Sequence, residues 1–224
     1  MNTTLRKLNS ISKEDRFYLL LAAIFIYLLF EFFGPRLGGM VFIRATMASV
    51  LLIAAIGCLR FQKMSFLNSR IFGVLVIALA WIDAAIHVEW FSIVDSLFRI
   101  VFFMLVTGAL IYQVAKTERV SLSVIVGAIS GYFLLGIAGS VAAMIVEGLA
   151  PGAFGMDATA KAELSTYIYY SYITLATVGY GDITPVAPAA RFLSIILGVS
   201  GQLYIATIIA VLVGKYLSRA PTGE

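Results

Sequence analysis

The chain has 224 residues, 61% of them apolar and only 12% charged, whereas soluble domains carry about 25% charged residues. That balance excludes an ordinary soluble domain and points to a membrane protein. The net charge of +4 is informative by position rather than as a sum, and the single cysteine, Cys58, excludes an intrachain disulfide and argues against a cysteine-built metal site.

Residues 1–16 are polar and hold Arg6, Lys7, Lys13 and Arg16, and an apolar run over 17–33 follows at once. A signal peptide is the rival reading of that run. It ends, however, in Glu31-Phe32-Phe33-Gly34-Pro35 with no small-x-small cleavage site, so a retained helix is expected. Further apolar runs lie at 40–59, 71–88, 94–114, 122–147 and 190–217. Each approaches or exceeds the roughly 20 apolar residues that a spanning helix needs. Backbone polar groups must be paired inside hydrocarbon, so all six are read as helices. None alternates with the period of two expected of a membrane β-barrel strand. Between the fifth and sixth runs, residues 162–176 would make a helix of roughly 21 Å, too short to cross. A re-entrant helix is expected there.

The basic residues set the orientation. Arg6, Lys7, Lys13 and Arg16, then Arg60, Lys63 and Arg70, then Lys116 and Arg119, then Lys215 and Arg219 all fall on one side of a six-span arrangement. On the other side Arg36, Arg44, Lys161 and Arg191 are offset by Glu89, Asp95, Glu147, Asp157, Glu163 and Asp182. Both termini are therefore expected in the cytoplasm. The expected division is a cytoplasmic segment 1–16, a four-helix bundle 17–119, a two-helix unit with the re-entrant segment 120–217, and a short cytoplasmic tail 218–224.

The stretch Thr177-Val178-Gly179-Tyr180-Gly181-Asp182 follows the re-entrant helix. Glycine takes positive φ without a Cβ clash. Alternating such residues with ordinary ones can turn successive carbonyls to one side. Four copies around an axis would stack rings of oxygens able to replace the hydration shell of a cation. A helix ending near Ala176 would aim its partial negative end at the same ion. Tyr167, Tyr169, Tyr170 and Tyr172 can brace the loop with bulk and hydroxyl donors, although an interfacial aromatic belt is the alternative.

"TLATVGYGDITP" resembles the signature of the tetrameric potassium channels. The similarity is specific over about 163–214 and only topological over 1–120. The resemblance implies an all-α membrane protein with six transmembrane helices, a pore helix at 162–176, a selectivity filter at 177–182 and an inner helix at 190–217, assembled as a homotetramer in the plasma membrane. It implies K+ held by the carbonyls of Thr177, Val178, Gly179 and Tyr180, with Gly181 completing the filter. Thr174 would sit behind the filter on the pore helix, Asp182 would bond behind its outer end, and Gly201 would be a hinge on the inner helix. The chain departs from the family pattern at Tyr169 and Tyr170, where a tryptophan pair is usual. A Trp–Asp bond would therefore become Tyr–Asp or disappear. The Pro-x-Pro bend of some relatives is absent too, which leaves Gly201 and Gly214 as candidate flex points, with close helix packing the alternative for Gly214. The implied partners are lipid, potassium ions and three further copies of the chain, with no nucleic acid, no organic cofactor and no enzymatic activity.

The fourth span carries one arginine, Arg99; stepping by three gives Phe102, Leu105 and Gly108. Four such subunits would draw about 9 kcal/mol per 100 mV, against about 30 for a working sensor. Weak or absent voltage dependence is expected. Asp83 lies mid-span and is expected to pair with Arg99 or Arg44, since a lone charge at the bilayer centre costs about 2.5–3.5 kcal/mol on insertion scales. His87 is the only histidine, and a pH-sensing role is a minor possibility for it. Two functional alternatives stay open: a non-selective cation channel or a potassium-transport subunit, and, remotely, an intramembrane serine protease on the strength of "GVSG" at 198–201. The last needs a histidine near Ser200, and His87 falls on the wrong helix.

Overall fold

The computed structural model describes residues 15–34, 41–59, 66–86, 88–117, 121–156 and 163–217. His87, the segments 1–14 and 218–224, and the charges at Arg36, Arg60, Lys63, Arg119, Asp157 and Lys161 lie outside the described residues. Seven helices and no strands occur among the described residues: α1 Asp15–Phe33, α2 Val41–Cys58, α3 Phe66–Ile86, α4 Glu89–Lys116, α5 Leu122–Leu149, α6 Leu164–Leu175 and α7 Pro188–Leu217.

Five of them, α1, α2, α4, α5 and α7, are long and apolar enough to cross a bilayer, and the apolar part of α3, Ile71–Ile86, is shorter. That run is about 24 Å long against a hydrocarbon core of about 30 Å. The helix α6 has 12 residues and cannot cross.

The organising element is α5, which packs against α1, α4, α6 and α7. Its sequence is apolar all round, as befits a helix with neighbours on every side; 72% of its apolar window is buried. Small residues let those neighbours approach. The Tyr172 ring of α6 fills the space beside Gly136, and Leu197 of α7 and Ser171 of α6 fill that beside Gly139. Hydroxyls then tie the helices together. Tyr172 donates to the Phe133 carbonyl at 2.6 Å, Ser171 to the Gly136 carbonyl at 2.7 Å, and Tyr204 of α7 to the Ala128 carbonyl at 2.6 Å. The result fixes α6 at a set height between α5 and α7. By contrast only 17% of the apolar window of α7 is buried. Phe192, Ile195, Val199, Leu203 and Ile209 stand more than half exposed on it.

The bundle formed by α1 to α4 holds a line of charges. Arg99 is ion-paired with Asp95 one turn back on α4, and its Nη2 lies 4.0 Å from Asp83 Oδ2 on α3. Ser92 donates to the other Asp83 oxygen at 2.5 Å. Of the two partners expected for Asp83, Arg44 is the one not engaged: its Nε lies 4.0 Å from Glu31 Oε2, and Glu31 is buried. The reason is position. Arg44 sits in the first turn of α2, across the α1–α2 connection from the end of α1. Asp95, read from sequence as an outer-side charge, is fully buried inside α4.

Candidate ion-conduction site

The loop after α6 is shaped by the end of that helix. Ala176 closes it with φ −80° and ψ 0°, its N–H bonded to the Tyr172 and Thr174 carbonyls. Thr177 N–H then bonds to the Thr174 carbonyl at 3.0 Å, and both Val178 N–H (2.8 Å) and Gly179 N–H (3.2 Å) bond to the Ile173 carbonyl. In a trans peptide the C=O points opposite to the N–H of the next residue. The Thr177 and Val178 carbonyls therefore both point away from α6. Among the described residues no hydrogen bond is donated to the carbonyls of Thr177, Val178, Gly179 or Tyr180.

The dihedrals make this possible. Thr177 has φ 57°, Gly179 φ 54° and Gly181 φ 82°, while Val178 and Tyr180 between them keep negative φ. Positive φ in a β-branched residue is an outlier costing about 1–3 kcal/mol. Thr177 is the one non-glycine with positive φ among the described residues. Glycine chemistry pointed to the strain at 179 and 181; Thr177 adds to the alternation. The whole strip 176–182 is exposed in the single chain, with Val178 at 51% and Tyr180 at 73%.

Side chains hold the strip from behind. Tyr169 Oη donates to Asp182 Oδ2 at 2.7 Å. That hydroxyl is the main reason the Asp182 carboxyl lies below the usual carboxylate range; the backbone N–H groups of Asp182 and Ile183 assist, against partial desolvation. Tyr170 Oη shares a 2.5 Å hydrogen bond with Ser194 of α7. Phe154 packs edge-on against Tyr170 with ring centroids 4.7 Å apart, and Glu147 fixes the Phe154 turn by accepting from Gly152 N–H at 2.6 Å and from Phe154 N–H at 3.3 Å. The Ala153 carbonyl in that turn accepts from Val186 and Ala187 N–H, which anchors the segment leaving the strip. Thr174 is in the last turn of α6, its carbonyl oxygen 3.9 Å from the position that a Cβ would take on Gly198.

A depressed carboxyl contributes stability while ionised and loses it as pH falls through the depressed value. The Tyr169–Asp182 brace is therefore complete at neutral pH and lost only in acid. Tyr169→Phe removes the donor, so the brace is absent at every pH. Sustained current should already be reduced at neutral pH and should lack the acid-dependent decline of wild type; a variant that keeps the wild-type pH profile would count against the brace.

The two hinge candidates differ in their surroundings. An ideal Cβ on Gly201 would overlap the Leu175 carbonyl at the end of α6, so this glycine is where α7 and α6 touch backbone to backbone. Gly214 has nothing within 4 Å of its Cβ position, so packing within the chain does not require glycine there. Sequence reasoning missed Gln202, whose Nε2 donates to the Thr177 hydroxyl at 3.4 Å. Ser200 lines a cavity of about 300 Å³ between α4, α5 and α7, together with Thr107, Tyr204 and Thr207.

The sequence profile of the ion channel family matches residues 99–218, from mid-α4 through α7. A 45-residue stretch is 44% identical to two pore potassium channel c of Oryza sativa subsp. japonica, covering 20% of this chain and 10% of that protein. No solved structure matches. The described residues hold five bilayer-length helices, no strand and an exposed strip whose carbonyls accept no hydrogen bond from them; with a family match over more than half its length, the chain belongs to the ion channel family.

Proposed function

We propose that this chain is one subunit of a homotetrameric potassium-selective channel, with Thr177, Val178, Gly179, Tyr180 and Gly181 as the filter, and that K+ passes along the carbonyls of the first four. One observation carries the reading. A β-branched residue is held at positive φ, in alternation with two glycines, on a strip whose carbonyls are unpaired and exposed in the single chain. Such strain persists only where surrounding structure over-determines it. A ring of four carbonyls per layer supplies the ligands that a dehydrated cation lacks. The bare apolar face of α7 supports the same assembly, because it offers neighbouring subunits a surface continuous with the strip.

In this reading the chain crosses the plasma membrane six times, with α3 as the third span. Residues 17–119 form a peripheral bundle, residues 120–217 form the pore, and the termini are cytoplasmic. Asp182, Thr174, Tyr169 and Tyr170 support the filter. Opening carries little or no voltage dependence for a physical reason beyond the count of arginines. Arg99 is neutralised by Asp95 on the same helix, so a sliding α4 would carry both charges together. The test is rubidium uptake into proteoliposomes driven by a potassium gradient. Uptake blocked by barium is expected; uptake indifferent to barium would contradict the reading.

A further inference from the structure

The last turn of α4 and the last turn of α7 meet at the end of the molecule farthest from the filter strip. A helix leaves its final four carbonyls without intrahelical partners. At the end of α4 the Gln113 carbonyl is taken by the Thr117 N–H and hydroxyl. The next carbonyls are taken by one side chain from another helix. Lys215 Nζ donates to the Val114 carbonyl at 2.6 Å, to the Ala115 carbonyl at 2.8 Å, and to the Thr117 carbonyl. An ammonium has three donors, and here two carbonyls of α4 and that of its C-cap Thr117 accept from it. The charge also sits between two helix C-termini whose partial negative ends would otherwise repel.

The clasp reaches further than α4. Gln113 Nε2 donates to the Cys58 carbonyl at the end of α2 at 3.0 Å, Cys58 Sγ to the Arg16 carbonyl of α1 at 3.6 Å, and Arg16 Nη1 to the Gly57 carbonyl at 3.4 Å. Lys215 is thus joined to a rim formed by α1, α2 and α4. On the α7 side, the last buried residue before it is Ile208. Val211 and Leu212 are half-buried, and residues 209, 210, 213 and 214 are exposed. Val211 and Leu212 still pack against the core, so about three residues of helix, roughly 5 Å, lead from the packed part of α7 to the clasp near its end.

Hydrogen bonds of this kind resist separation of the two helix ends, because they weaken steeply as distance and angle depart from the preferred range. If α7 lines a central pathway and the bundle lies outside it, the clasp opposes inward movement of the α7 end. We propose that Lys215 is a positioning residue for the conduction pathway, holding the far end of α7 outward against the bundle and so favouring the open pore. This rests on the channel reading above, and it gives the bundle a role that needs no gating charges: it is the fixed body against which the inner helix is held.

The test uses the full chain reconstituted in lipid and compares wild type with Lys215→Met and Lys215→Arg. Lys215→Met should lower the open probability at least about tenfold, the factor that one net charge-assisted hydrogen bond supplies. Lys215→Arg, which keeps several donors, should restore most of it. In parallel, spin labels at Ala115→Cys and Val213→Cys, in labelled subunits diluted with unlabelled ones, report the distance between the two helix ends. It should broaden and lengthen in Lys215→Met and return in Lys215→Arg. An unchanged distance and open probability in Lys215→Met would overturn the clasp, as would an arginine variant as defective as the methionine one. If wild-type protein carries no potassium current while the distance still depends on Lys215, the channel reading fails and the clasp between the helices stands.

Discussion

Gly201→Ala is expected to detach α7 from the end of α6 and to abolish potassium flux. The added Cβ would overlap the Leu175 carbonyl oxygen and lie 2.9 Å from the carbonyl carbon and 3.1 Å from Leu175 Cγ. The first two of these are backbone atoms and cannot rotate away. Leu175 cannot retreat either, because the preceding turn supplies the Ile173 carbonyl that holds Val178 and Gly179. Overpacking a close contact costs about 1–3 kcal/mol, and a fourfold assembly would meet that cost in every subunit. Gly214→Ala is the control. Its Cβ has open space, and replacing glycine by alanine inside a helix gains up to about 1 kcal/mol. Size-exclusion profiles and flux should show Gly201→Ala impaired and Gly214→Ala intact. A Gly201→Ala protein that assembles and conducts normally would show that the α6–α7 contact does not position the filter.

The second large effect lies in the bundle. Arg99→Met should destabilise the protein by about 3–5 kcal/mol, the cost of removing one partner from a buried ion pair. Asp95 is fully buried and Asp83 partly so, and both would lose their cation together. The double variant Arg99→Met/Asp95→Asn should recover a substantial part of the loss, because the stranded charge goes with the arginine. Thermal unfolding in one detergent compares the three proteins. Equal stability of wild type and Arg99→Met would mean that these charges are solvated rather than stapling α3 to α4. Conduction measured across voltages should stay shallow in wild type, since the pair moves as a neutral unit.

Much of the helical layout was legible from apolar runs. A bilayer imposes a length and a composition on each span, and α1, α2, α5 and α7 begin and end within about two residues of the runs that suggested them. The beginning of α4 was misplaced for a physical reason. Its first turn, Glu89-Trp90-Phe91-Ser92, mixes polar and aromatic residues, so the apolar run starts late and Asp95 reads as an outer-side charge at the start of the run. The structure adds a turn before the apolar run and buries Asp95 against Arg99. The glycine alternation of the filter strip was equally legible, because few other sequences tolerate repeated positive φ.

What the sequence withheld depends on which helices face each other. Gly201 reads as a flex point in isolation and becomes a contact point only when Leu175 is brought against it. Lys215 reads as one more inner-side positive charge, and only the meeting of two helix ends gives it three carbonyls. Gln202 has no signature of its own; its amide acquires meaning from the Thr177 hydroxyl. Tyr169 illustrates the intermediate case. A phenol and a carboxylate thirteen positions apart can form a brace, but whether they do depends on the turn between them, which the positive-φ residues set.

The central claim is that carbonyls from Thr177 to Tyr180 replace water around potassium better than around sodium. It is tested most directly by the reversal potential of purified protein in a planar bilayer, with potassium salt on one side and sodium salt on the other. The account predicts a reversal far from zero, displaced in the direction that marks potassium as the permeant ion. A reversal at or near zero under that gradient, with current still flowing, would contradict it.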